Sequence, residues 1–287
     1  MKWINHLNKS INYIEAHLTD ETDLEKLSQL ACCSTFHFQR MFSYIAEISL
    51  SEYIRRRRMS RAAFDLQNSS EKISDIALKY GYESPTAFNR AFQTIHGVAP
   101  SVARSEGTKL KAYPPISFTL SIKGESELNY RIENKATFKV VGFSEHYQVE
   151  IQENFKAIPM FWGKIAQEGL MLQLVSQMSC QPFGVLGVST CMDGKTFDYY
   201  IAVASENETP IGMVDTIVPA SKWAIFECIG ALPHALQDLQ RRIITEWLPS
   251  SGYEYADAQD IEVYTEGNQQ AEDYRCEVWL PIKKGGD

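Results

Sequence analysis

At 287 residues, with 44% hydrophobic and 22% charged positions, the sequence has the composition of a folded protein long enough for two domains, which excludes disorder as its main state. No apolar run reaches the length of a membrane span, and the opening MKWINHLNKS lacks the apolar core of a secretory signal, so a cytoplasmic protein without a membrane partner is expected. The net charge of −8 is uneven: residues 1–112 carry 15 Lys and Arg against 12 Asp and Glu, and residues 113–287 carry 13 against 24. Such a step fits a polyanion-facing half joined to a half that avoids polyanions, although an acidic surface also simply confers solubility.

The first half reads as helical. Leu24, Leu27, Leu30 and Ala31 recur at helical spacing, Ser34 stands where a cap is needed, and Phe38, Phe42 and Ile45 continue the apolar stripe: helix, tight turn, helix. A connecting helix is predicted over 49–67, with Tyr53, Ile54, Met59, Ala62, Ala63 and Leu66 as core. The scheme then returns with Ile73, Ile76, Ala77 and Tyr80, a turn at Gly81, a cap at Ser84, and Phe88, Phe92 and Ile95. Of the run Arg55–Arg58, at most two residues can face the same phosphates on a helix, and the others are expected to pair with acids such as Glu52 or Asp65.

Two segments fifty positions apart share one pattern, STFHFQRMF (34–42) and SPTAFNRAF (84–92). Their aromatic positions point each second helix inward, leaving Gln39-Arg40 and Asn89-Arg90 outward. Arg can bond O6 and N7 of guanine together, and Gln or Asn can do the same for N6 and N7 of adenine, which suits a major groove. Two such helices on one chain could read double-stranded DNA in successive major grooves about 34 Å apart, so a monomer would suffice and at most a weak dimer is expected.

Residues of roughly 5–106 resemble the DNA-binding domain of AraC/XylS transcription regulators, through STFHFQRMF, SEYIRRRRMSRAAFDL, ISDIALKYGYESPTAFNRAF and GVAPSVAR. The resemblance implies base-facing positions at Thr35, Phe36, Gln39 and Arg40 in the first unit, and at Pro85, Thr86, Asn89 and Arg90 in the second. It also implies a cytoplasmic regulator, more often an activator than a repressor, with RNA polymerase as a possible further partner. The sequence departs from the family where ACCS replaces a Gly-aromatic pair and where AEIS ends the first recognition helix without Gly.

The segment SEGTKLKAYPPISF (105–118) disfavours helix and central strand, so a linker is expected over 107–126, between an all-α domain of two helix-turn-helix units (1–106) and an α+β domain (127–287). In the second domain, strands are predicted at 138–147, 182–190 and 197–205 with a helix over 151–176. The same strand-helix-strand-strand order is then predicted at 222–230, 232–248, 260–266 and 274–282, so the domain is a duplicated repeat with a groove where the halves meet. Tyr147, Trp162, Tyr199, Trp223, Trp247, Tyr255, Glu277 and Trp279 are the aromatic and acidic residues expected to converge there. A carboxylate beside aromatic faces is a receptor for an organic cation, though most of these aromatics could equally be core.

Residues of roughly 127–284 resemble the GyrI-like effector-binding domain of multidrug-sensing regulators, through IPMFWGKI, PASKWAIFECIG, TEWLPSSGYE and RCEVWLPI. The resemblance implies a pocket for an amphipathic, often cationic small-molecule effector, with Glu277 as its central acid and Trp162 and Trp247 as walls. The alternative is a small-molecule hydrolase in which Glu277 activates water. No nucleophile–base dyad is recognisable, the six cysteines form no C-x-x-C, and neither metal nor cofactor is expected.

Overall fold

Ser caps and left-handed turns divide the first part of the chain into α1 (Lys2–Ala16), α2 (Leu24–Ala31), α3 (Thr35–Ala46), α4 (Leu50–Asn68), α5 (Ile73–Lys79), α6 (Pro85–His96) and α7 (Pro100–Ala103). The computed structural model describes residues 2–118, 127–148, 151–191, 196–256 and 258–284. The hydroxyls of Ser34, Ser49 and Ser84 accept hydrogen bonds from the backbone N–H three residues on, starting α3, α4 and α6. Gly97 ends α6 at φ 78°, and at the matching offset Glu47 ends α3 at φ 57°, a conformation that costs a residue with Cβ about 1 kcal/mol.

By its contacts the chain divides into two compact units. One contains Lys2–Ala31 and Ile48–Thr119; the other joins Cys32–Glu47, which carries α3, to Leu120–Asp287. The division thus cuts across the segment 1–106 at one helix.

In the helical unit, Met59, Ala62, Ala63 and Leu66 of α4 pack with Ile76 and Ala77 of α5, Phe88, Phe92 and Ile95 of α6, and Ala103 of α7. The arginine run is absorbed into the fold. Arg55 and Arg56 pair with Glu52, Arg57 binds Glu15 at 2.6 Å, and Arg58 donates to the carbonyls of Leu18 at 2.8 Å and Asp20 at 2.6 Å. Asp65 instead takes Lys79 at 2.9 Å and the Tyr80 hydroxyl at 2.8 Å. Of the expected linker, residues 107–118 form an extended strap fastened to this unit: Tyr113 N–H donates to Ser60 Oγ at 3.0 Å and Phe118 N–H to Asn8 Oδ1 at 2.8 Å. Positions 119–126 lie outside the described residues.

The other unit carries β1 (Tyr130–Lys135), β2 (Phe138–Gln148), α8 (Ile151–Gln167), α9 (Leu170–Val175), β3 (Val185–Cys191), β4 (Thr196–Ala204), β5 (Val214–Val218) and β6 (Ser221–Ile229). It continues with α10 (His234–Arg242), a π-helical turn (Ile243–Trp247), α11 (Leu248–Ser251), β7 (Tyr253–Tyr255), β8 (Asp260–Tyr264) and β9 (Arg275–Lys284). The described strands form one antiparallel sheet in the order β1-β6-β9-β8-β3-β4-β2-β5, with β7 added on β9. Exchanging β1 with β5, β2 with β6, β3 with β8 and β4 with β9 reverses this order into itself. The expected duplication is therefore present, with a pseudo-twofold axis between β3 and β8 and an additional first strand in each repeat that pairs with the other repeat.

The edge strand β5 and the near-edge strand β6 lie toward opposite ends of that order, yet only Pro219 and Ala220 connect them, a reach of about 11 Å. The sheet must curl until its ends approach. One face then packs on itself, through Val140, Leu186, Val188, Val218, Trp223, Ile261, Val263 and Trp279. On the other face, Phe197, Tyr199, Ile201 and Val203 receive Phe161 and Ile165 of α8 and Leu174 of α9. The curl brings β2 and β4 close together at Gly142, where a Cβ would stand 2.1 Å from the Ile201 carbonyl oxygen. Gly142→Ala is expected to lower the stability of this unit by about 3 kcal/mol, read as a reduced denaturation midpoint in urea.

Candidate functional site

Helix α6 turns Phe88, Phe92 and Ile95 into the core of the helical unit. The 3.6-residue period then leaves Pro85, Thr86, Asn89 and Arg90 exposed, together with Gln93. The four predicted base-facing positions of the second unit thus share one open helix face.

The helix-bearing face of the sheet holds a cavity of about 300 Å³. Its floor is the pseudo-twofold seam, with Ser189 of β3, Phe197 and Tyr199 of β4, and Glu262 and Tyr264 of β8. Ile158, Pro159 and Trp162 of α8 and Leu236, Gln237 and Gln240 of α10 form walls. A further wall comes from α3, through Phe36, Arg40 and Tyr44, residues at i, i+4 and i+8 on one helical stripe.

Glu262 is the centre of the cavity's polar network. Its Oε2 accepts from the hydroxyls of Tyr264 at 2.8 Å and Tyr199 at 2.9 Å, and its Oε1 accepts from Gln240 Nε2 at 2.7 Å. Trp162 Nε1 donates to the Tyr199 oxygen at 3.2 Å, and the Tyr44 hydroxyl to Gln240 Oε1 at 2.6 Å. Burial, and after it the charge of Glu262, push both phenols of Tyr199 and Tyr264 well above their ordinary range, so they remain hydrogen-bond donors at any physiological pH. Every donor to Glu262 among the described residues is neutral. Among these residues its charge forms no ion pair, although the Arg40 guanidinium feels it, in a cavity lined largely by aromatic rings.

The second acid on this face, Asp260, lies two residues away and is paired with a cation through one of its oxygens. Arg40 Nη1 reaches its Oδ2 at 2.5 Å, with the side chains 15% and 8% exposed. Burial opposes both charges, yet their attraction prevails: Arg40 is held above and Asp260 below its ordinary pKa. His37 Nε2 faces Asp260 Oδ1 at 3.6 Å, neither atom having a hydrogen bond among the described residues, and the His37 ring stacks on Tyr255 at 4.0 Å.

Of the residues expected in the groove, Trp162 and Tyr199 line it. The acid that reaches it is Glu262, not Glu277. In the β8–β9 register Glu277 stands opposite Val263 and Trp279 opposite Ile261, which places both on the far face of the sheet. There Glu277 accepts from Arg131 at 2.8 and 3.2 Å and from Trp279 Nε1 at 2.8 Å. Trp223 and Trp279 lie in the far-face core with ring centroids 5.9 Å apart. Trp247 is enclosed by Tyr130, Phe226 and Tyr253, Tyr147 packs behind the cavity on Phe197, and Tyr255 lies under His37.

On α3, Phe36 is 4% exposed and packs with Phe161 and Phe197, and Arg40 is held by Asp260. Thr35 and Gln39 are half-buried. Sequence reasoning missed Glu262, Asp260 and Gln240. The signal available was the alternation in DIEVY, which puts two acids and a tyrosine on one face of a strand whose other face is apolar.

Gly187, opposite Glu262 in the β3–β8 pairing, makes room for this network: a Cβ there would meet Tyr199 Oη at 2.2 Å and Glu262 Oε2 at 2.7 Å. Gly187→Ala is expected to break the Tyr199–Glu262 bond and displace Trp162, read as a shift in tryptophan emission without loss of helix or sheet by circular dichroism.

Residues 128–283 match the GyrI-like small molecule binding domain family, and residues 27–106 match a helix-turn-helix domain family. Over 102 residues the chain is 36% identical to the HTH-type transcriptional activator AarP of Providencia stuartii, covering 36% of this chain and 76% of AarP. It is 36% identical over 94 residues to the multiple antibiotic resistance protein MarA of Escherichia coli, covering 33% of this chain and 74% of MarA. With the transcriptional regulator Rob of Salmonella typhimurium, the match of 34% over 106 residues spans only 37% of that protein. Among solved structures, SAV2435 bound to tetraphenylphosphonium superposes with a TM-score of 0.50 at 26% identity, over 54% of this chain and 94% of that one. The described residues include no helix long and apolar enough to cross a membrane. The chain belongs to the GyrI-like small-molecule-binding family and carries that domain behind the helix-turn-helix domain of the AraC-type transcription regulators.

Proposed function

We propose that the protein is a cytoplasmic transcription regulator that reads double-stranded DNA and is controlled by an amphipathic organic cation bound at Glu262. The observation that carries the ligand class is the Glu262 carboxylate, hydrogen-bonded among the described residues only by neutral donors within an aromatic cavity. A mono-cation gains the uncompensated charge, and its apolar groups gain contact with Trp162, Phe197, Tyr199 and Tyr264. The tetraphenylphosphonium held by SAV2435 is of this chemical class. Activation is the proposed sign, in line with AarP, a transcriptional activator. Two reading helices on one chain make a monomer sufficient, with contact to RNA polymerase as the route to activation. The hydrolase reading depends on Glu277 beside a bound substrate, and gains no support from a carboxylate held by Arg131 and Trp279 outside the cavity.

Tetraphenylphosphonium titrated into the full chain is expected to quench Trp162 emission, and Glu262→Gln to weaken binding about tenfold, or roughly 1.4 kcal/mol. Equal affinity in the two proteins would discard the cation receptor. For DNA, the exposed guanidinium of Arg90 is the proposed base reader. Arg90→Ala should cost about 1–3 kcal/mol on the preferred duplex and relax one base position, measured by competition binding with single-base variants. A loss that is uniform across sequences would make Arg90 a phosphate contact instead.

A further inference from the structure

Two helices carry the same reading pattern, but they present it differently. At a constant offset of fifty positions, Thr35, Phe36, Gln39 and Arg40 of α3 correspond to Pro85, Thr86, Asn89 and Arg90 of α6. The α6 set is exposed throughout, whereas Phe36 is 4% exposed and the Arg40 side chain 15%. The stripe Phe36–Arg40–Tyr44 is itself an aromatic–cation–aromatic array, with the Arg40 guanidinium 5.7 Å from the centroid of the Tyr44 ring. It forms one wall of a cavity suited to that chemistry. Phe36 packs on Phe197 at 5.5 Å, Arg40 takes Asp260, and the Tyr44 hydroxyl reaches Gln240, the same amide that donates to Glu262.

We propose that α3 is docked as one wall of the effector cavity, and that an organic cation seated there competes with that docking and releases the reading face of α3 for DNA. This rests on the reading of the cavity as a cation receptor. A base edge cannot reach Arg40 while Asp260 holds it, so docking of α3 and base reading by α3 exclude each other. A cation seated at Glu262 repels the Arg40 guanidinium, which that carboxylate's charge otherwise favours, so it favours the state in which the stripe has left. That differential affinity is what an effector requires in order to shift the equilibrium. A neutral aromatic ligand would fill space without the repulsion.

The test selects bound sequences from a random duplex library using the full chain. Wild type without ligand is expected to yield a one-part motif, read by α6. Asp260→Asn, which removes the partner of Arg40 and leaves α3 unaltered, is expected to yield a two-part motif whose parts lie about one helical turn apart. Gln240→Ala, which removes the acceptor of the Tyr44 hydroxyl, keeps the test available if the Asp260 variant fails to fold. A one-part motif from both folded variants, or a two-part motif from unliganded wild type, overturns the proposal. In a second arm, Arg40→Ala is expected to bind tetraphenylphosphonium about fivefold more tightly because the internal competitor is gone. Equal or weaker binding overturns the competition, since a residue that merely walls the cavity would lose contacts on truncation. No binding to either protein would strike out the receptor itself, a failure distinct from that of the docked helix, which the motif reports.

Discussion

The antiparallel register of β8 between β3 and β9 is the constraint on which the site depends. It sets Asp260 against Ser189 and Glu262 against Gly187, with Ile261 and Val263 facing the opposite way. A slip of one residue would bury the acids in the far-face core and turn two aliphatic side chains into the cavity. The pseudo-twofold axis runs beside this pairing, so the two repeats meet where the cavity opens. The missing Cβ of Gly187 leaves the space in which the Tyr199 hydroxyl and the Glu262 carboxylate come together.

Asp260 and Glu262 are chemically similar and point to the same side, yet their surroundings give them different roles. Asp260 has a guanidinium at 2.5 Å and little solvent, which makes it a structural anchor for α3. A buried pair of this kind adds little net stability over apolar packing, but removing one member leaves a charge without a partner, so it specifies an arrangement more than it strengthens one. Glu262 has hydrogen bonds enough to hold its orientation and, among the described residues, no ion pair. Orientation without neutralisation is the property a receptor for positive charge needs.

The two helices that share one sequence pattern show how much such a pattern leaves open. SPTAFNRAF and STFHFQRMF both fold as Ser-capped helices with aromatic residues buried. Their polar stripes then meet different surroundings: the α6 stripe remains open, and the α3 stripe finds an acid and an aromatic wall. The aromatic residues of the first segment fit this second environment. Phe36, which has no hydrogen bond to offer a base edge, has an apolar cluster to enter, and His37 has Tyr255 to stack on.

Local periodicity made the helices, the serine caps and the two strand-helix-strand-strand repeats legible in the sequence, because each depends on spacing over a few residues. The outward face of α6 was legible for the same reason, since Phe88 and Phe92 determine which side is left over. The first strands of the repeats, β1 and β5, were not, because each is completed by a partner strand from the other repeat. Glu277 was expected at the centre of the groove and lies on the far face. Alternation along a strand sorts residues into two sets, and only pairing with neighbouring strands decides which set meets the helices. The sequence by itself determined two Ser-capped helices that share one pattern and a duplicated α+β domain. Tertiary structure alone decided that Glu262 is the acid in the cavity and that Arg40 is spent on Asp260, because both depend on contacts between residues far apart in the chain.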